Sequence, residues 1–234
     1  HMMLTAEPTE TAFRYRRNVQ PAVVLPFDGV STRYTIGSKD TNGYLFLVGY
    51  HDKTIYMEYQ HSISDGRGFE EFIRCVLFQY LKNCGFPVEN DGSVRGMDTR
   101  WSPEESANGY EQLADREFSP DGIWKKPEAV HAPEVQWGAD GSEVVTEVTF
   151  PFSQLHDYAK SIGVSPLSVL APLMMKAFDD KFGGTDKPVI AEIPVDLRPL
   201  LPTLTTRYFI CFIDLPYFPE YRDLPNDEVF RRTK

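Results

Sequence analysis

In this 234-residue chain, a histidine and an aspartate four positions apart, in His61-Ser62-Ile63-Ser64-Asp65-Gly66, have the types and spacing to do chemistry. Imidazole titrates near neutrality, so a positioned histidine can take a proton from a nucleophile and return it to a leaving group. Before His61 the chain alternates apolar and polar residues; after Gly68 apolar residues recur at three- and four-residue steps. The pair therefore sits between a strand and a helix. Two readings are open. In one, Asp65 caps the helix near its positive end and His61 is a satisfied histidine at a strand terminus. In the other, the two belong to a site, and Asp196 and Arg198 at the end of a later strand supply an arginine to meet Asp65.

The elements that must position these residues follow from periodicity. Tyr44 to Gln60 reads as a hairpin turning at His51-Asp52-Lys53, with arms rich in β-branched and aromatic residues. Phe69, Phe72, Ile73, Val76, Leu77, Tyr80 and Leu81 then give one apolar face of a helix. From Gly85 to Gly141 patterning fades into Pro, Gly, Asp and Glu, with Trp101, Tyr110, Phe118, Trp124 and Trp137 scattered through it. A stretch of that length is functional or hides short elements, and its aromatics argue that it packs down. Glu143 to Phe150 reads as a strand, followed by a Ser153-capped helix carrying Leu155, Tyr158, Ala159 and Ile162.

Ser165-Pro166 has the cap and first-turn residues of a longer helix, which stops at Gly183-Gly184 and places Met174 and Met175 as gap-filling core. Strands are expected at Val189–Val195 and Tyr208–Leu215, joined by a Pro-rich turn. Asn226-Asp227-Glu228 supplies the cap and acidic first turn of a last helix. There is no internal repeat. No boundary is cleaner than the irregular 85–141 segment, so 4–234 reads as one α/β domain and 1–3 as a tag remnant.

Composition excludes several functions. A formal net charge of -10 argues against a nucleic-acid binder, whose affinity needs clustered Lys and Arg. Arg14, Arg16 and Arg17 are the densest basic cluster and read as a solvated face. Cys75, Cys84 and Cys211 show no CxxC spacing, which fits a reducing cytoplasm. Nowhere in the sequence do about 18 apolar residues run together, so no membrane-spanning helix is expected. His51, His131 and His156 have no metal-ligand spacing, so no metal is expected. Gly66-Arg67-Gly68 lacks the third glycine of a dinucleotide loop, and GxxxxGK[ST] and GxSxG are both absent.

His61 to Gly66 resembles the HxxxDG motif of the chloramphenicol acetyltransferase-like acyltransferases, which include condensation domains and alcohol O-acetyltransferases. Val195-Asp196-Leu197-Arg198-Pro199-Leu200-Leu201-Pro202 resembles the second strand-end signature of the same superfamily, in the right order. The resemblance runs from about Arg14 to the end, is nearest the alcohol O-acetyltransferase-like branch, and corresponds to the N-terminal half of such a protein. It implies one half of a chloramphenicol acetyltransferase-like α+β sandwich, with a mixed, mainly antiparallel sheet flanked by helices.

By the same resemblance His61 is the general base, acyl-CoA or an acyl-pantetheine is the co-substrate, and an alcohol or amine is the acceptor. Asp65 pairs with Arg198 to hold the motif loop, and Gly66 permits the tight turn and close backbone approach where the helix begins. Gln60 stands where many relatives carry a second histidine. Tyr208 stands near where the alcohol acyltransferase branch tends to carry an asparagine. A C-terminal half is expected to be missing, so the chain alone is not expected to turn over. The alternatives are a non-catalytic binding module of the same fold, a carrier-protein-dependent condensation-type domain, and two copies pairing to mimic the whole.

Overall fold

The computed structural model describes residues 2–27, 34–96, 99–100, 102–117, 125–132 and 148–233. They form two compact units, the first from residues 1–117 and 196–211, the second from 118–195 and 212–234. The sequence reads as one domain because the chain passes between the units three times, so no single linker marks a boundary. The first passage falls inside the irregular 85–141 segment.

In the first unit, strands β1 (Leu4–Pro8) and β2 (Phe13–Arg17) pair antiparallel as a separate ribbon. A three-stranded sheet has β4 (Phe46–His51) between β3 (Val24–Pro26), parallel to it, and β5 (Thr54–Tyr59), antiparallel to it. The hairpin turn is tighter than the sequence suggests. His51 still pairs with Thr54, leaving Asp52-Lys53 as the turn, with Asp52 at a left-handed φ of 49°. Helix α1 (Gly66–Asn83) follows. It lays Phe69, Phe72 and Ile73 against Tyr44, Leu45, Phe46 and Ile63, while Leu77 and Tyr80 face solvent. On the apolar face only Phe69 is fully buried, and Phe72, Ile73, Val76 and Leu81 are half-buried.

The middle segment does contain short elements. Single 3-10 turns at Pro103–Ser106 and Gly109–Leu113 are capped by Ser102 and Asn108, the first as a full capping box with Glu105. Tyr110 packs edge-on against Phe209, and its hydroxyl both donates to the Ile210 carbonyl and accepts from the Ile210 amide. Trp101, Phe118, Trp124 and Trp137 lie outside the described residues.

The second unit contains α2 (Phe152–Ser161), α3 (Pro166–Phe182), most of the paired strands β6 (Val189–Asp196) and β7 (Ile210–Tyr217), and α4 (Asn226–Arg232). Ala159, Val164, Val169 and Phe230 form one core; Met175, Val189, Tyr217 and Val229 form another. Ser165 caps α3 as expected, accepting from the Ser168 amide at 3.1 Å. Several expectations fail here. Pro151 holds the cap position of α2, so Ser153 lies inside the first turn and makes no cap bond. Pro225 caps α4, which makes Asn226 its first residue. Residues 148–150 are irregular, and the rest of the expected 143–150 strand lies outside the described residues. Met175 is core at 3% exposure, but Met174 is 74% exposed, because successive residues on a helix point about 100° apart.

Among the described residues no single helix is long and apolar enough to cross a membrane.

Candidate active site

The loop from Gln60 to Asp65 leaves the sheet in two steps. The Gln60 amide bonds the Leu45 carbonyl at 2.9 Å, extending the sheet by one residue, and the Ile63 amide bonds back to Gln60 at 3.1 Å to close a turn. His61 and Ser62, at the crest of that turn, are exposed, whereas Ile63, Ser64 and Asp65 are buried. The loop is thus anchored at both ends with its histidine held out.

Asp65 is 1% exposed and its carboxylate has three donors. Oδ1 accepts from the Gly68 amide at 2.7 Å, which is the helix cap. Oδ2 accepts from Arg198 Nη1 at 3.0 Å and from the Phe209 amide at 2.7 Å. Capping and ion pairing are therefore simultaneous functions of one side chain, not alternatives. The helix N-terminus also favours the negative charge there.

Arg198 uses its whole guanidinium. Besides Asp65, Nη1 donates to Asp196 Oδ1 at 2.8 Å, Nε to the Thr205 carbonyl at 3.0 Å and Nη2 to the Arg207 carbonyl at 2.7 Å. The planar fork of arginine suits such a set; lysine could not span it. Residues 205–207 are gripped from other sides too. Ser64 Oγ donates to the Thr206 carbonyl at 2.7 Å, the Thr206 amide reaches the Glu105 carbonyl at 3.0 Å, and Thr205 Oγ1 donates to the Ala107 carbonyl at 2.6 Å. The irregular middle segment thereby helps to build the site.

The close approach at the helix start belongs to Gly68, not to Gly66. A Cβ on Gly68 would lie 2.1 Å from the Thr206 carbonyl oxygen, whereas one on Gly66 would meet nothing within 4 Å. In a DxxG pattern the third position after the acid was the signal for this contact, and the motif glycine drew attention away from it.

Two tyrosines that the sequence reading did not assign flank His61. Tyr59 has its ring centroid 5.5 Å from the imidazole and stacks on Phe69 at 3.9 Å; Tyr208 meets His61 edge-on at 5.8 Å. Burial, followed by the nearby charge of Asp65, pushes the Tyr59 phenol above its ordinary pKa, so it stays neutral. Tyr59 was visible as an alternating strand residue, but nothing local in sequence links Tyr208 to a histidine 147 positions earlier. Among the described residues the imidazole nitrogens have no hydrogen-bond partner, so either is open to a reacting group. No group of three His, Cys, Asp or Glu among those residues is placed to hold a metal.

No family model matches the chain, and no curated protein matches it. Solved structures do. The SgcC5 protein from Streptomyces globisporus, in complex with (R)-(-)-1-(2-naphthyl)-1,2-ethanediol and sucrose, matches 99% of this chain with a TM-score of 0.53 at 13% identity. An arginine-to-alanine variant of the starter condensation domain of rhizomide synthetase, in complex with C8-CoA, also matches 99% of it, with a TM-score of 0.50 at 15% identity. The fold is that of little more than half of a condensation domain, with small antiparallel and mixed sheets flanked by helices, consistent with one half of a chloramphenicol acetyltransferase-like fold. The chain spans 59% and 57% of the lengths of those two structures.

Proposed function

We propose that this chain is the N-terminal part of an acyltransferase in which His61 is the general base. The reading rests on one observation above others: an exposed histidine projects from a loop whose far end is fixed by a buried aspartate bound to Arg198. Such an arrangement holds an imidazole in place without occupying it. The histidine takes the proton from an acceptor hydroxyl or amine as that atom attacks the carbonyl of an acyl thioester. The tetrahedral intermediate collapses with loss of the thiolate, which receives the proton from the imidazolium. No covalent bond to the protein forms.

Acyl-CoA is the proposed donor, in keeping with the C8-CoA complex of the rhizomide synthetase domain. Asp65 and Arg198 support the site without touching substrate, and Gly68 takes the place expected for Gly66. Tyr59 and Tyr208 confine the imidazole from two sides. The remaining wall belongs to a region outside residues 1–234, consistent with a chain that spans little more than half of the structures it resembles.

The test is acyl transfer from acetyl-CoA and octanoyl-CoA to a panel of alcohols and amines, using the complete reading frame. His61→Ala should lose at least about a hundredfold in kcat, in the range of a general base, with an unchanged melting temperature. Activity equal to that of the parent would remove the assignment. A second reading, a non-catalytic binding module of the same fold, is favoured by the imidazole nitrogens having no hydrogen-bond partner among the described residues. Binding of acyl-CoA with no turnover in the complete protein would select it.

A further inference from the structure

Among the described residues Arg16 lies on Glu7, Arg67 and Arg74 on Glu70, Arg95 on Glu105, Arg198 on Asp65 and Arg222 on Asp179. Arg17 and Arg207, like Arg14, Arg100 and Arg116, form no ion pair with a carboxylate among those residues. Arg17 and Arg207 line one cavity of about 770 Å³ in the first unit, and none of the described residues lining it is acidic. Its size is ordinary for a small-molecule site. In a chain of net charge -10, two uncompensated guanidinium groups in one concavity form a local field of the opposite sign to the whole.

The rest of the lining is largely apolar. Met3 and Leu4 come from the start of the β1–β2 ribbon, Tyr15 from β2, and Ile63 from the loop that follows His61. Arg207 is held in place on both sides: its Nη1 donates to the Ser106 carbonyl at 3.3 Å, and its own carbonyl accepts from Arg198 Nη2. That restraint lowers the ordering cost of binding an anion. The basic cluster that reads in sequence as a solvated face thus divides in the structure. Arg16 pairs with Glu7, while Arg17 joins the cavity wall.

We propose that this cavity binds an acidic amphiphile, with a carboxylate or phosphate group met by Arg17 and Arg207 and an apolar body against Met3, Leu4, Tyr15 and Ile63. Guanidinium groups match both anions by paired, charge-assisted hydrogen bonds, and the apolar wall supplies the remaining affinity. The site uses neither His61 nor the Asp65 carboxylate, so it goes beyond the acyl-transfer reading and does not depend on it. Ser62 also lines the cavity and places the ligand next to the loop that carries His61.

Calorimetric titration of this chain with decanoate, decyl phosphate and decanol, each below its micellar concentration, tests the idea. At least one of the two anions should bind at least about tenfold more tightly than decanol. Arg17→Gln and Arg207→Gln should each weaken that binding about tenfold, the loss expected for one charge-assisted hydrogen bond. Raising the salt to about 1 M should weaken it further. Arg17→Lys, which keeps the charge without the fork, should fall between the parent and Arg17→Gln and guards against loss of fold in the latter. Decanoate against decyl phosphate distinguishes a carboxylate from a phosphate ligand. Decanol binding as tightly as the anions, equal affinity in both glutamine variants, or no binding of any probe would overturn the proposal. His61→Ala should bind as the parent does, so failure of acyl transfer and failure of this site are read separately.

Discussion

Each of the two units contains a buried aspartate clasped by an arginine, and the two clasps are built differently. In the first, Asp65 stands at the N-terminus of α1, where the helix dipole favours it, and three separate donors satisfy it. In the second, Asp179 lies in the last turns of α3, near the unfavourable negative end, and Arg222 grips it through Nε at 2.7 Å and Nη2 at 2.9 Å. Arg222 is also the more open partner, with 31% of its side chain exposed against 13% for Arg198. Both clasps rely on a glycine, since a Cβ on Gly68 or Gly183 would overlap its neighbour at 2.1 Å. A buried Asp–Arg pair is therefore a device for joining distant segments. What distinguishes the first is the exposed histidine four residues away.

The comparison can be broken by experiment. Asp65→Ala should cost about 3–5 kcal/mol in urea unfolding, because it strands the Phe209 amide, the Gly68 amide and part of the Arg198 charge. An unchanged midpoint would deny the clasp its structural role. Gly68→Ala should follow at about 3 kcal/mol, the upper end for overpacking, since the atom it strikes is backbone. Asp179→Ala should cost less, about 2 kcal/mol, as Arg222 can turn to water and the helix end is relieved of a like charge. A loss equal to that of Asp65→Ala would mean that the two clasps do not differ in kind. Ser165→Ala should lose about 1 kcal/mol through the cap of α3, measured by the same unfolding curve. Gly66→Ala should stay within about 0.5 kcal/mol in either direction, and a loss as large as that at Gly68 would return the close approach to the motif glycine.

Much of the first clasp was legible before any coordinates, because a motif marks both of its ends: Asp65 in the loop and Arg198 past β6. The second was not. Asp179 and Arg222 lie 43 residues apart, the aspartate within an apolar helix and the arginine in a Pro-rich stretch, with no pattern connecting them. Reading Met174 and Met175 together as core failed for a related reason. Composition identified the helix, but which of two adjacent residues faces inward depends on where the neighbouring elements lie. The α2 cap failed because Pro151 took a position for which Ser153 was chemically suited but two residues late.

By itself the sequence determined the hairpin before His61, the starts of α1 and α3, and the pairing of a candidate base with a structural acid. These depend on contacts within a few residues, where periodicity and capping chemistry act directly. Only the tertiary structure decided that Tyr208 flanks His61, that Gly68 bears the close approach, and that Arg17 and Arg207 share one cavity. Those contacts join segments more than a hundred residues apart. Their partners meet through packing of the whole unit, and no local pattern records which of many similar residues will face one another.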